Sequence, residues 1–298
     1  MKEIRFQLQN KAKDTKRTFM EILQYYAMER FLYRLSISKY SDLFILKGAL
    51  IFQVFKIQNR RTTLDIDFLA YFENEIKNLE KIIKEICRID IQDDGLIFDP
   101  DSVIGTKIKE GAEYEGVRIK FKGFLGKSKI SMQIDIGFGD VISPKPQPIN
   151  YPTILNFPNP KLKGYSLESI IAEKFESMVK IGAINSRMKD FYDIWLISRQ
   201  FDFKGEILKK ALKQTFTHRK TELPKTSKLF TEEFYDEGSD KQTMWKSFLT
   251  KNQINSAPEK LVSTVKTISD FLTKPVQAIN NNQEFNYIWN TGKAWRIE

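Results

Sequence analysis

The chain of 298 residues has one cysteine, Cys87, and one histidine, His218. A single cysteine excludes an internal disulfide and any multi-cysteine metal site. Cys87 falls inside a helix-like apolar pattern, where a free thiol behaves as a small buried apolar group. A single histidine argues against a histidine-dependent triad and against a zinc centre. No apolar run approaches the roughly 18 residues that a membrane-spanning helix needs, so no membrane partner is expected. The opening residues, Met1-Lys2-Glu3-Ile4-Arg5-Phe6, lack the apolar stretch of a secretion signal, and cytoplasmic residence is the default expectation. Proline is scarce and unevenly placed. There are 10 in the chain, and Pro144, Pro146, Pro148, Pro152, Pro158 and Pro160 crowd into residues 143–160.

What is present is ample apolar material. With 41% hydrophobic residues and 23 phenylalanines, the chain can fill the core of one large or two ordinary domains. Residues 7–36 carry apolar side chains at helical spacing and predict one or two helices. A short apolar run, Phe44-Ile45-Leu46, is followed by Gly48 and a predicted helix over 49–57. Strands are expected at 64–70, 97–104, 114–121 and 129–138, with an amphipathic helix over 74–87. The proline-dense segment forbids a helix or a central strand. It reads as an extended connection holding the domain boundary. Beyond it the periodicity is helical, over 166–182, 188–199, 204–213, 241–251 and 258–273, and strand signals nearly vanish. The expected organisation is α+β: an α/β domain over 1–160, then an α-helical domain over 161–298 that contributes to the active site.

The chemistry concentrates in a few places. In Arg60-Arg61-Thr62-Thr63-Leu64-Asp65-Ile66-Asp67, a strand alternates its side chains, so Asp65 and Asp67 share a face while Leu64, Ile66 and Phe68 share the other. Two adjacent carboxylates repel unless a cation lies between them, and hard cations such as Mg²⁺ prefer carboxylate oxygens. In 129–138, Ile130, Met132, Ile134 and Ile136 alternate with Ser131, Gln133 and Asp135. If the two strands are neighbours, Asp135 joins Asp65 and Asp67 on one side of a sheet. Lys174 breaks binary patterning by sitting on the apolar face of the 166–182 helix. It must either snorkel to the surface or meet a buried anion, and Asp190 on the next helix is the natural partner. Asp193 borders the core side of that helix as well.

Taken together, Lys47-Gly48-Ala49-Leu50, Arg61-Thr62-Thr63-Leu64-Asp65-Ile66-Asp67, Ala172-Glu173-Lys174 and Arg187-Met188-Lys189-Asp190-Phe191-Tyr192-Asp193 resemble the AbiEii/AbiGii family. These are toxin nucleotidyltransferases of bacterial abortive-infection and toxin–antitoxin systems, MenT toxins among them. The resemblance spans about residues 40–200 with its motifs in order. It implies a polymerase-beta-like minimal nucleotidyltransferase domain followed by a helical half, and Mg²⁺-dependent transfer of a nucleotidyl group from an NTP. It also implies an RNA acceptor, with tRNA and its 3′ end the first choice, and a cognate antitoxin encoded nearby. By position, Asp65, Asp67 and Asp135 would hold metal. Lys47, Gly48, Ala49, Arg61, Thr63 and Lys174 would meet the nucleotide, and Asp190 would complete the site. Ala49 stands where the family usually has a second glycine, and its Cβ would narrow a phosphate cradle.

The formal charge is +10, from 48 Lys and Arg against 38 Asp and Glu. Such a surface suits a polyanionic partner. Lys204, Lys209, Lys210, Lys213, Arg219, Lys220, Lys225 and Lys228 cluster after the motifs. Two other readings stand beside RNA modification: a nucleotidyltransferase acting on a small molecule such as an antibiotic, and a nucleic-acid-binding protein without catalysis.

Overall fold

The computed structural model describes residues 2–72, 75–91, 93–110, 114–182, 186–224, 235–292 and 294–298. The chain forms two compact units. One comprises Met1–Lys56, Thr63–Gly139 and Gln147–Gly164; the other comprises Ile57–Thr62, Asp140–Pro146 and Tyr165–Glu298. The main division therefore falls at 164/165. Two short segments, 57–62 and 140–146, belong with the second unit although the flanking chain belongs with the first.

The first unit is built on a seven-stranded mixed sheet. Its strands are β1 (Phe44–Lys47), β2 (Ile66–Ala70), β3 (Leu96–Glu110), β4 (Tyr114–Leu125), β5 (Ser128–Phe138), β6 (Gln147–Asn150) and β7 (Lys161–Gly164). Their spatial order is β3-β4-β5-β2-β1-β7-β6. Helices α1 (Lys2–Asp14), α2 (Phe19–Ser36) and α3 (Ile76–Cys87) complete the unit. The alternation expected of 129–138 is present: Ile130, Met132, Ile134 and Ile136 are buried, and the residues between them are not. From α2, Phe31 meets Phe98 of β3 edge-on and Phe121 of β4 at a tilt, with ring centroids 5.8 and 5.2 Å away. Such aromatic pairs add about 0.5–1.5 kcal/mol each to the burial of their area. Thr18 caps α2 by accepting the Glu21 N–H.

Several expectations are corrected in this unit. The helix over 49–57 is a short 3-10 segment, Ala49–Gln53. The strand over 64–70 begins only at Ile66, and Leu64 is exposed at 62% instead of sharing the buried face of Ile66 and Phe68. The strands over 97–104 and 114–121 run longer, as the hairpin β3–β4. The start of the expected 74–87 helix lies outside the described residues. The proline-rich segment does supply a strand, β6, but at the sheet edge, where Pro148 has no ladder bond to forfeit.

The second unit is largely helical, with α4 (Leu167–Ile181), α5 (Met188–Gln200), α6 (Gly205–His218), α7 (Asp240–Lys251) and α8 (Leu261–Asn280). It also holds a small antiparallel sheet that the periodicity does not reveal: β8 (Phe203–Lys204), β9 (Tyr287–Trp289) and β10 (Trp295–Ile297). Strands of two and three residues are too short to display an alternation. Aromatic packing makes up for their length. Phe271 of α8 contacts Trp289 and Trp295, with ring centroids 4.9 and 5.8 Å away. Among the described residues, no helix is long and apolar enough to cross a membrane.

Candidate active site

Strand pairing in the first unit builds one row of charged side chains across four strands. Lys47 of β1 lies opposite Asp67 of β2, Asp67 lies opposite Asp135 of β5, and Asp135 lies opposite Arg118 of β4. Residues directly opposite in register project from the same face. Asp65 precedes β2 by one residue. Its carboxylate joins those of Asp67 and Asp135 in a group whose ligand oxygens all lie within 4.8 Å of one another. All three acids are half-buried.

Each acid is held by its surroundings. The Thr63 hydroxyl donates to Asp65 Oδ1 at 2.5 Å, and the Thr63 N–H donates to the Tyr25 hydroxyl at 3.1 Å. Thr63 itself is buried, so its hydroxyl is committed to orienting Asp65. Gly48 has φ +68°, a region that favours glycine, and a Cβ there would sit 2.0 Å from Asp67 Oδ2. Only a residue without a side chain lets the Asp67 carboxylate approach. Ala49 opens the 3-10 segment and is 5% exposed, so its methyl is taken into the core. Arg118 grips Asp135 with a two-pronged pair, Nε to Oδ1 at 2.8 Å and Nη2 to Oδ2 at 2.6 Å. That hydrogen bonding, with the charges of Asp135, Asp65 and Asp67, raises the Arg118 pKa further.

The donor set fits a hard divalent cation. Three carboxylates offer oxygen ligands only, and magnesium selects oxygen. Three half-buried negative charges this close favour any cation that can share them.

The second unit carries a separate ion network. Lys174 Nζ on α4 lies 2.7 Å from Asp190 Oδ1 and 2.8 Å from Asp193 Oδ2, both on α5. Arg187 Nε lies 3.0 Å from Asp190 Oδ2. Arg61 donates to Asp193 from Nε at 3.1 Å and from Nη2 at 3.0 Å. Burial acts to lower the Lys174 pKa, but Asp190 and Asp193 outweigh it and hold the ammonium above its ordinary value. Burial likewise acts to raise Asp190, and Lys174 and Arg187 outweigh it, so this carboxyl titrates below its ordinary value. Of the two outcomes open to Lys174, meeting a buried carboxylate is the one realised. The site residues expected from sequence thus divide. Lys47, Gly48, Ala49, Thr63, Asp65, Asp67 and Asp135 lie in the first unit; Arg61, Lys174 and Asp190 lie in the second.

The family model for the nucleotidyl transferase AbiEii toxin of a type IV toxin–antitoxin system matches residues 30–272. The chain belongs to the AbiEii family. Membership makes it a nucleotidyltransferase of a toxin–antitoxin system and implies a nucleotide substrate and an antitoxin. Among solved structures, the chain is similar to MenT4, a nucleotidyltransferase toxin from Mycobacterium tuberculosis H37Rv. The TM-score is 0.50 at 14% identity, covering 93% of this chain and 99% of that one. It also matches JHP933 from Helicobacter pylori, with a TM-score of 0.46 at 15% identity over 86% of this chain and 94% of the other. No curated protein sequence matches. For this AbiEii-family chain, sequence reasoning passed over Arg118 and did not count Asp193 with the site residues. The signals for Arg118 were its alternation with Val117 and Ile119 and the Gly126-Lys127 turn, which pairs Leu125 with Ser128 and so sets the β4–β5 register. Asp193 carried its signal openly, three residues after Asp190 on the same helical face.

Proposed function

We propose that this AbiEii-family enzyme uses Mg²⁺ held by Asp65, Asp67 and Asp135 to transfer a nucleotidyl group from an NTP to an RNA acceptor, the 3′ end of a tRNA by preference. The observation that carries the reading is the convergence of these three carboxylates to within 4.8 Å on one sheet face. The acceptor hydroxyl oxygen forms a bond to the α-phosphorus, and the bond from that phosphorus to the bridging oxygen breaks, releasing pyrophosphate. Magnesium, when bound, neutralises the triphosphate and acidifies the attacking hydroxyl. Asp135 takes part in receiving the hydroxyl proton. Asp67 is kept at close approach to the backbone by Gly48, and Thr63 fixes the rotamer of Asp65. The cognate antitoxin is expected to be encoded nearby.

The test is incubation of the protein with each labelled NTP, Mg²⁺ and total RNA. Label on RNA that disappears with EDTA and in Asp67→Asn supports the reading. Label on a small molecule moves the acceptor to that class. No label with any NTP overturns the RNA-modifying reading.

A further inference from the structure

We propose that Arg118 is an exchangeable counter-ion of the acid cluster: a divalent cation displaces its guanidinium from Asp135, and the released guanidinium takes up phosphate oxygens of the bound nucleotide. This rests on the metal reading of Asp65, Asp67 and Asp135 given above. The geometry makes the two cations competitors. The two-pronged pair engages both oxygens of Asp135, and a metal bound there competes with the guanidinium for the charge of those same oxygens. The Arg118 side chain is 36% exposed and Asp135 19%. The guanidinium can therefore leave toward solvent without stranding a buried charge. Its charge is coupled to the whole cluster, since Asp65 and Asp67 act on it along with Asp135. The planar fork that fits a carboxylate fits a phosphate equally well. Lys47 flanks the acids at the other end of the row, so the acids lie between two cations. A structural pair would look the same when metal-free, but it would not trade partners.

The experiment titrates Mn²⁺ into the full-length protein without nucleotide, followed by electron paramagnetic resonance, for the native protein, Arg118→Ala, Arg118→Lys and Asp67→Asn. ATP binding with Mg²⁺ present is measured beside it by calorimetry. Arg118→Ala is expected to bind Mn²⁺ roughly fivefold more tightly, the size of a half-exposed ion pair, while binding ATP more weakly. Arg118→Lys keeps the charge but loses the fork, and should fall between the native protein and Arg118→Ala in both measurements. Opposite signs for metal and nucleotide are the signature of exchange. Unchanged or weaker Mn²⁺ binding in Arg118→Ala overturns the proposal and makes Arg118 a fixed clamp on Asp135. Native Mn²⁺ binding that Asp67→Asn leaves untouched overturns the metal reading beneath it.

Discussion

At the residue scale, the site is decided by how closely polar atoms are forced together. Asp65→Asn or Asp67→Asn removes one ligand charge and also relieves like-charge repulsion in the metal-free protein. Each should abolish nucleotidyl transfer while leaving the melting temperature unchanged or slightly higher, checked by the labelled-NTP assay and thermal melts. Gly48→Ala is a sharper probe. The backbone strain is on the order of 1–3 kcal/mol, and the new Cβ falls on Asp67 Oδ2 at 2.0 Å. Both the melting temperature and Mn²⁺ affinity should fall. Unimpaired metal binding would show that the Asp67 carboxylate does not need its place beside Gly48. Asp67 and Asp135 were legible because each strand has period two; Asp65 precedes β2 and joins them held by the Thr63 hydroxyl. Arg118 was passed over because its place beside Asp135 depends on the β4–β5 register, which the Gly126-Lys127 turn sets by pairing Leu125 with Ser128.

At the element scale, buried charges tie helices together. Lys174 joins α4 to α5 through Asp190 and Asp193, both essentially buried. Lys174→Ala leaves two carboxylates with less positive charge and should cost on the order of 3–5 kcal/mol. A fall of that size in denaturant unfolding, with restoration in part by Lys174→Arg, would show that the lysine stabilises the fold. An unchanged melt would mean Arg61 and Arg187 suffice. The α2 helix carries the opposite electrostatic situation. Glu29 is buried; burial outweighs its neighbour Arg30 and pushes its pKa up to about 7. A raised folded-state pKa gives stability that is fully present below the unfolded value of 4.5 and lost as pH rises through about 7. Glu29→Gln does not titrate. Its stability relative to the native protein should therefore improve by about 3 kcal/mol between pH 4.5 and 8. Parallel pH profiles of the two proteins would rule this out. Helix periodicity predicted α4 and α5 and their meeting. It missed the 3-10 form of Ala49–Gln53 and the β8–β10 sheet, since neither is long enough to repeat a period.

At the scale of the whole molecule, the charge of +10 is the property that bears on the acceptor. The basic cluster after the motifs is not uniform. Arg219 is committed within the second unit to Asp140 at 2.8 Å and Glu176 at 2.8 Å, and Lys209 to Glu206 at 2.8 Å. Lys225 and Lys228 lie outside the described residues. On α6, Lys210 and Lys213 are exposed and are the side chains free in space to meet a phosphate backbone. Counting lysines along the sequence could not separate these groups, because commitment to a carboxylate is a tertiary property. If the acceptor is RNA, its affinity should fall linearly on a log–log plot against salt. Lys210→Glu with Lys213→Glu should flatten that slope by roughly 1.4, at about 0.7 per single-strand phosphate contact. Both side chains are exposed, so NTP binding and the melting temperature should hold. An RNA affinity indifferent to salt and to the double reversal would reduce α6 to a solvated face. The acceptor would then have to be sought among proteins or small molecules, with the acid cluster's chemistry unaltered.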